Sequence, residues 1–65
     1  MSIAKVIEVI AEGNTVEAAI KNAATETGKS LRNVKHINVE NIQGIVEDGK
    51  VTSFRVNAKV TFVVG

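Results

Sequence analysis

The strongest periodic signal in the sequence lies in residues 51–64, where apolar and polar side chains alternate. One row of alternate residues is apolar after its first member: Thr52, Phe54, Val56, Ala58, Val60, Phe62 and Val64. The intervening row is polar except at its ends: Val51, Ser53, Arg55, Asn57, Lys59, Thr61 and Val63. Successive side chains of a strand point to opposite faces, so this period predicts one long strand with an apolar and a polar face. We expect Phe54 and Phe62, the only aromatic residues, to fill the core.

A hairpin is predicted before this strand by the sequence Glu47-Asp48-Gly49-Lys50. Asp-Gly favours a two-residue type I′ turn, which pairs Val46 with Val51. The preceding strand is predicted at residues 34–46, with Gly44 interpreted as a bulge or bend that would shift its register by one.

Without that shift, the two strands agree about which face is polar. Ile37 and Val39 then lie on the core face, opposite Val60 and Ala58. The polar face receives three residues of the earlier strand opposite three of the later one: His36, Asn38 and Glu40 opposite Thr61, Lys59 and Asn57.

The first half of the chain predicts one strand and one helix. Residues 5–11 are rich in β-branched residues and apolar on both sides, so we expect another subunit to cover part of this strand. A helix is predicted over residues 15–31, with Asn14 as its N-cap and Glu17 in a capping box. Its apolar stripe is thin and rich in alanine: Val16, Ala19, Ile20, Ala23, Thr27 and Leu31. Gly28 either ends the helix early or marks a close contact.

The element order β-α-β-β predicts an α+β fold. A right-handed crossover through the helix makes the first two strands run in the same direction. The last strand then lies between them, in a three-stranded antiparallel sheet with one helix packed on one face. We expect a single domain over residues 1–65, because this length is too short for two.

Composition limits how so small a chain becomes stable. A core of this size recovers about as much free energy as ordering the chain costs, so small domains commonly add disulfides, a metal or partner subunits. The sequence has no cysteine and one histidine, which excludes disulfides and argues against structural zinc. We therefore expect oligomerisation. The absence of cysteine also fits a cytoplasmic protein.

Charge and motifs argue against several function classes. The net charge is +1 and the eight basic residues are dispersed, unlike the basic stripe of a nucleic-acid-binding protein. The apolar run near the N-terminus is broken by Glu8 and does not resemble a signal peptide, and no run approaches the ~20 apolar residues of a membrane span. No phosphate-binding glycine loop and no nucleophile–base pattern is recognisable, so we expect no enzyme.

Two residues of the polar face remain candidates for chemistry. His36 could be a base, a ligand contact or a lone surface imidazole, and the last is the commonest case. Arg55 could clamp a phosphate or carboxylate, or pair with Glu40 as interface charge. The pattern favours the pairing.

Several segments, in their order and spacing, resemble the dodecins, small β-α-β-β proteins that assemble into hollow shells of twelve identical subunits and store flavins. The similar segments are residues 5–10, residues 16–20, residues 42–44 followed by 49–51, and residues 54–62, which resemble the family pattern F-Q-V-x-x-K-V-x-F. The resemblance implies a non-enzymatic homododecamer with a flavin (riboflavin or FMN) as its ligand.

The resemblance is close along the scaffold and weaker at the binding residues. His36 stands where flavin-binding members have a Trp that stacks on the isoalloxazine ring, and Arg55 stands where a Gln hydrogen-bonds the flavin edge. An imidazole offers less stacking area than an indole, and Arg has no hydrogen-bond acceptor. The candidate ligand-binding residues on this basis are His36, Asn38, Gln43, Arg55 and Asn57.

Three functional interpretations stay open at this point. The first is a storage shell that holds a flavin or related ligand on the polar face between subunits. The second is a flavin-free shell of the same kind, whose polar face is an ion-lined or purely structural interface. The third is a small nucleic-acid or adaptor module, against which the near-neutral charge and the missing Tyr and Trp count.

Overall fold

The fold is a three-stranded sheet with one helix on one face. In the computed structural model, which describes residues 3–64, the elements are β1 (Ile3–Gly13), α1 (Val16–Gly28), β2 (Val34–Glu47) and β3 (Lys50–Val64). The strand order is β1-β3-β2, and β3 is antiparallel to both neighbours. The predicted α+β fold, with the last strand in the middle, is confirmed. The predicted domain bounds include residues 1, 2 and 65, which lie outside the described residues.

The hairpin between β2 and β3 forms at the predicted turn. Val46 pairs with Val51 and Glu47 with Lys50, which leaves a two-residue loop. Asp48 and Gly49 both have positive φ, 51° and 74°, as a type I′ turn requires. The Asp-Gly signal therefore correctly locates the start of the register.

A bend or bulge was predicted at Gly44, and the bulge is not at this position, because the register irregularities lie on either side of it. Gly44 pairs regularly with Phe54, whereas the register shifts between Ile45 and Val46 and back again between Val39 and Asn41. Thr52 is the extra residue at the first shift and Glu40 at the second, so the two cancel. A third irregularity lies between Val34 and His36.

The cancelling bulges preserve most of the predicted cross-strand pairs. Ile37 faces Val60 and Val39 faces Ala58, as expected. The exception is Asn57, which pairs with Asn41 instead of Glu40.

Helix α1 covers the apolar face of β3, here called the helix face. The side chains of Val56, Ala58 and Val60 are buried there, together with Ala19 and Ala23 of the helix. Alanines let the helix axis approach the sheet closely. The core is therefore small and consists of alanine and valine side chains. Among the described residues no leucine, isoleucine or aromatic side chain is fully buried.

The expectation that Phe54 and Phe62 fill the core is only partly met. Both rings lie on the helix face, as the alternation predicts, but each is half-buried. β3 has 15 residues and the helix has 13, and a strand also rises more per residue than a helix. The helix therefore covers only the middle of β3, and the two rings flank the covered segment.

Truncation of Phe62 should still lower stability. Its strand position lies between Lys5 of β1 and Val34 of β2. We expect Phe62→Ala to cost about 2 kcal/mol, below the ~3–5 kcal/mol typical of a fully buried Phe. Thermal unfolding of the assembled protein measures this loss, and an unchanged melting temperature would show that the ring packs against nothing.

Helix α1 is shorter at both ends than the sequence predicts. Thr15, not Asn14, is the N-cap, because the Thr15 Oγ1 accepts a hydrogen bond from the Ala18 backbone N–H at 2.9 Å. Glu17 is then one residue too early for a capping box. The helix ends at Gly28, where an added Cβ would have no atom within 4 Å, so Gly28 marks the end and not a close contact. Within residues 3–64 no helix is long and apolar enough to cross a membrane.

Candidate functional site

The sheet face opposite the helix, here called the open face, carries a grid of side chains. Each row takes one residue from β1, one from β3 and one from β2. The four rows are Glu12, Arg55 and Gln43; Ile10, Asn57 and Asn41; Glu8, Lys59 and Asn38; Val6, Thr61 and His36. All five candidate residues from the sequence therefore lie on one face, which no element within residues 3–64 covers.

The candidates share the open face without forming one compact pocket. His36 lies in the row of Thr61, and Gln43 lies in the row of Arg55, six residues away along β3. At about 3.4 Å per residue, these two rows stand about 20 Å apart. His36 of one chain therefore cannot contact a small planar ligand that also contacts Arg55 of that chain.

Arg55 is held by β1. Its Nη2 donates to the Glu12 Oε2 at 3.2 Å, and both side chains are about half exposed. Within one chain, Arg55 therefore pairs with Glu12 and not with Glu40, the partner that the sequence favours. Because β3 is central, Arg55 has a neighbour on each side, and the carboxylate of its row comes from β1.

Glu40 pairs instead with Lys59, whose Nζ lies 3.2 Å from the Glu40 Oε1. The bulge at Glu40 makes this contact, because it removes Glu40 from the position opposite Asn57. Lys59 also stands directly opposite Glu8 of β1. Lys59 thus has an ion-pair partner on β2 and an acidic residue opposite it on β1.

One donor of Arg55 is left without a partner. The Arg55 Nε is shielded from solvent and makes no hydrogen bond, although the guanidinium end of the side chain is accessible. A buried N–H of this kind costs free energy unless an acceptor reaches it. The accessible end of the guanidinium has further N–H groups, so Arg55 can donate to another acceptor while Glu12 binds its Nη2.

The remaining candidates are exposed or half-exposed. His36, Asn38 and Gln43 are exposed, and Asn57 is half-buried between Ile10 and Asn41. Among residues 3–64, no three His, Cys, Asp or Glu side chains are grouped so that they could hold a metal ion. The amide, imidazole and guanidinium groups present suit hydrogen bonding and stacking.

Apolar side chains stand beside the polar ones. Val6 and Ile10 lie on the open face and are 55% and 64% exposed. On the helix face, beyond the helix, the hairpin arm exposes Ile42, Val46 and Val51. Exposed β-branched residues in a chain with so small a core indicate surfaces that are covered by other copies or ligands.

A groove of about 670 Å³ runs between the edge of β1 and helix α1. Its walls include Ile7 and Ala11 of β1 and Ala23 and Thr27 of the helix. None of the five candidate residues lines it. The Thr27 hydroxyl donates to the Ala23 carbonyl at 2.8 Å and so has its partner within the helix. We place the candidate site on the open face, which carries all five candidate residues.

Sequence reasoning missed Glu12 as a site residue. The strand predicted from the sequence ends at residue 11, whereas β1 continues to Gly13. The signal is present in the alternation of β1: Ile7, Val9 and Ala11 share the helix face, which places Glu8 and Glu12 together on the other face.

Comparison with known proteins identifies the family. The sequence model of the family described as Dodecin matches residues 3–65. The chain belongs to the dodecin family. No curated protein sequence matches it significantly.

Solved dodecin structures have the same fold. The tt0972 protein from Thermus thermophilus is 26% identical to this chain, with a TM-score of 0.92 over 100% of this chain and 97% of that one. The dodecin from Streptomyces coelicolor is 29% identical, with a TM-score of 0.92 over 98% and 93%. The dodecin from Streptomyces davaonensis, at 23% identity and a TM-score of 0.91, agrees in fold. Dodecins are known as flavin-binding storage proteins, and homologues form dodecameric shells.

Proposed function

We propose that this dodecin is a non-enzymatic subunit of a closed homododecameric shell, which holds a flavin-like planar ligand on its open faces, between subunits. The observation that carries the proposal is the open face itself. It carries His36, Asn38, Gln43, Arg55 and Asn57 on one surface, beside the exposed side chains of Val6 and Ile10. A planar aromatic ligand matches this mixture, because its faces are apolar and its edge is polar.

Assembly is supported by the size of the core. Only three alanines and two valines are completely or nearly completely buried among the apolar residues described: Ala19, Ala23, Val56, Ala58 and Val60. A domain of this length with so little buried apolar surface needs additional burial to be stable. Subunit contacts supply it by covering exposed residues such as Ile10 and Val46.

The ligand site, on this proposal, is completed by a second subunit. His36 and Arg55 lie about 20 Å apart in one chain, since six residues of β3 separate their rows. A three-ring ligand in contact with both types of residue therefore takes the imidazole from one subunit and the guanidinium from another. Two open faces related by a two-fold axis meet this requirement. The His36 row of one subunit then lies opposite the Arg55 row of the other.

The chemistry of the residues supports weak binding of riboflavin or FMN. The imidazole of His36 stacks over less area than an indole would. Arg55 donates hydrogen bonds but accepts none. Both residues are available, and neither is matched to a flavin as closely as the Trp and Gln of flavin-binding dodecins.

A second candidate function is a flavin-free shell whose open face is an ion-lined or purely structural interface. It is favoured by the two ion pairs, Glu12 with Arg55 and Glu40 with Lys59, which already connect the three strands across this face. In that case the polar grid serves subunit contact alone.

The proposed partners are other copies of the chain and a small ligand, without nucleic acid or membrane. We place the shell in the cytoplasm, consistent with a sequence that has no cysteine. The mass of the native particle, measured with its absorbance spectrum, tests the proposal, and its outcomes are given at the end of the Discussion.

A further inference from the structure

Resting on the proposed function, we propose that the open face selects an uncharged flavin over a phosphorylated one, and that Glu12 enforces this selection. The relevant surface consists of the three rows of β3 that contain Arg55, Asn57 and Lys59. Two cations on this surface, Arg55 and Lys59, form ion pairs. Their carboxylate partners, Glu12 and Glu40, lie on the same surface.

The charges of these rows do not favour an anion. Three carboxylates, Glu8, Glu12 and Glu40, accompany the two cations Arg55 and Lys59. Each cation already has a carboxylate oxygen 3.2 Å away. A phosphate that approached either cation would therefore meet a like charge at close range.

Arg55 shows what kind of group the site can still accept. Glu12 binds the Nη2 of a guanidinium whose side chain is 42% exposed, so further N–H groups at its accessible end remain available. A carbonyl oxygen or ring nitrogen accepts a hydrogen bond from such a donor without adding charge. Gln43, which pairs with Arg55 across the sheet, adds one further donor and acceptor, also uncharged.

A phosphate monoester carries about −1.5 to −2 charges at neutral pH, and unit charges a few ångströms apart interact appreciably even near water. The Glu12 carboxylate should therefore weaken binding of a phosphorylated ligand relative to its uncharged parent. Replacement of Glu12 by Gln removes the charge and keeps nearly the same shape. It also leaves the Glu12 backbone carbonyl free to accept from Asn22 Nδ2, as it does at 2.8 Å.

Riboflavin and FMN differ by one phosphate and are suitable probes. Each is titrated into the assembled wild-type protein and into Glu12→Gln, with flavin fluorescence quenching as the readout. We expect wild type to bind riboflavin more tightly than FMN. In Glu12→Gln, the dissociation constant of FMN divided by that of riboflavin should fall by about tenfold.

Glu17→Gln is the matched control. Glu17 lies on helix α1, 78% exposed and paired with Lys21, on the opposite side of the sheet. It should leave the ratio unchanged. Equal or tighter FMN binding by wild type, or an equal ratio in Glu12→Gln and wild type, would overturn the inference and leave the proposed flavin site standing. Binding of neither flavin would remove the flavin site, and this inference with it.

Discussion

Gly13→Ala should strongly destabilise the protein, because its new methyl group would be placed inside the start of helix α1. An ideal Cβ at Gly13 would lie 2.5 Å from the Ala19 backbone N, 2.8 Å from the Ala18 carbonyl carbon and 3.0 Å from the Ala18 Cβ. Two of these three atoms belong to the backbone, so no side-chain rotation relieves the clash.

The atoms that would move also form the first hydrogen bonds of the helix. The Ala18 N–H donates to the Thr15 Oγ1 at 2.9 Å, and the Ala19 N–H donates to the Thr15 carbonyl at 3.0 Å. Overpacking typically costs about 1–3 kcal/mol, and contact with backbone places this position at the upper end. We expect the melting temperature of the assembled protein to fall by roughly 10–25 °C.

Gly28→Ala provides the matched control in the same helix. An added Cβ there has no atom within 4 Å, and Ala is a better helix former than Gly by about 1 kcal/mol. Its melting temperature should be unchanged or higher. If Gly13→Ala melts at the wild-type temperature, the close approach of β1 to the helix is not as described.

The second large effect is expected in the double variant His36→Trp with Arg55→Gln, which should bind riboflavin about a hundredfold more tightly than wild type. The indole adds stacking area, and an aromatic pair contributes roughly 0.5–1.5 kcal/mol beyond the area that it buries. The amide adds an acceptor, and one further hydrogen bond contributes on the order of 1 kcal/mol. Each gain counts twice if two symmetry-related subunits contact the ligands.

Removal of Arg55 leaves Glu12 without its partner, but this carboxylate is about half exposed, so water replaces the partner at little cost. Each single variant should gain less than the double one. Titration of riboflavin with each variant, followed by fluorescence quenching, measures the series. Tight quenching by wild type would show that His36 and Arg55 already form an effective flavin site. Failure of the double variant to gain affinity would favour the flavin-free interface.

Local turn chemistry explains why much of the fold is predictable. Asp48 and Gly49 determine the hairpin loop, and the alternation of β3 then assigns His36, Asn38 and Arg55 to one face. The two bulges at Thr52 and Glu40 were not predictable, because neither residue differs from an ordinary strand residue and their shifts cancel. Gly44 was interpreted as a bulge or bend, but it pairs regularly with Phe54, and an added Cβ there would lie at an ordinary contact distance of 3.4 Å from a Val51 side-chain methyl.

The contacts of the site depend on a register that no turn determines. Glu12 and Arg55 are 43 residues apart, and both α1 and β2 lie between β1 and β3 in the sequence. Packing of α1 determines which β1 residue faces which β3 residue. The composition of the open face was therefore predictable from alternation, whereas the partner of Arg55 was not.

The mass of the native particle, measured by light scattering together with its absorbance spectrum, tests the central claim most directly. A dodecamer has twelve times the 6.9 kDa of one chain, about 83 kDa. We predict a particle of this mass that, at high protein concentration, changes the visible absorbance spectrum of added riboflavin, as weak binding requires. A particle of the same mass that leaves the riboflavin spectrum unchanged would favour the flavin-free shell. A stable monomer would contradict the proposal that shell assembly covers the exposed face.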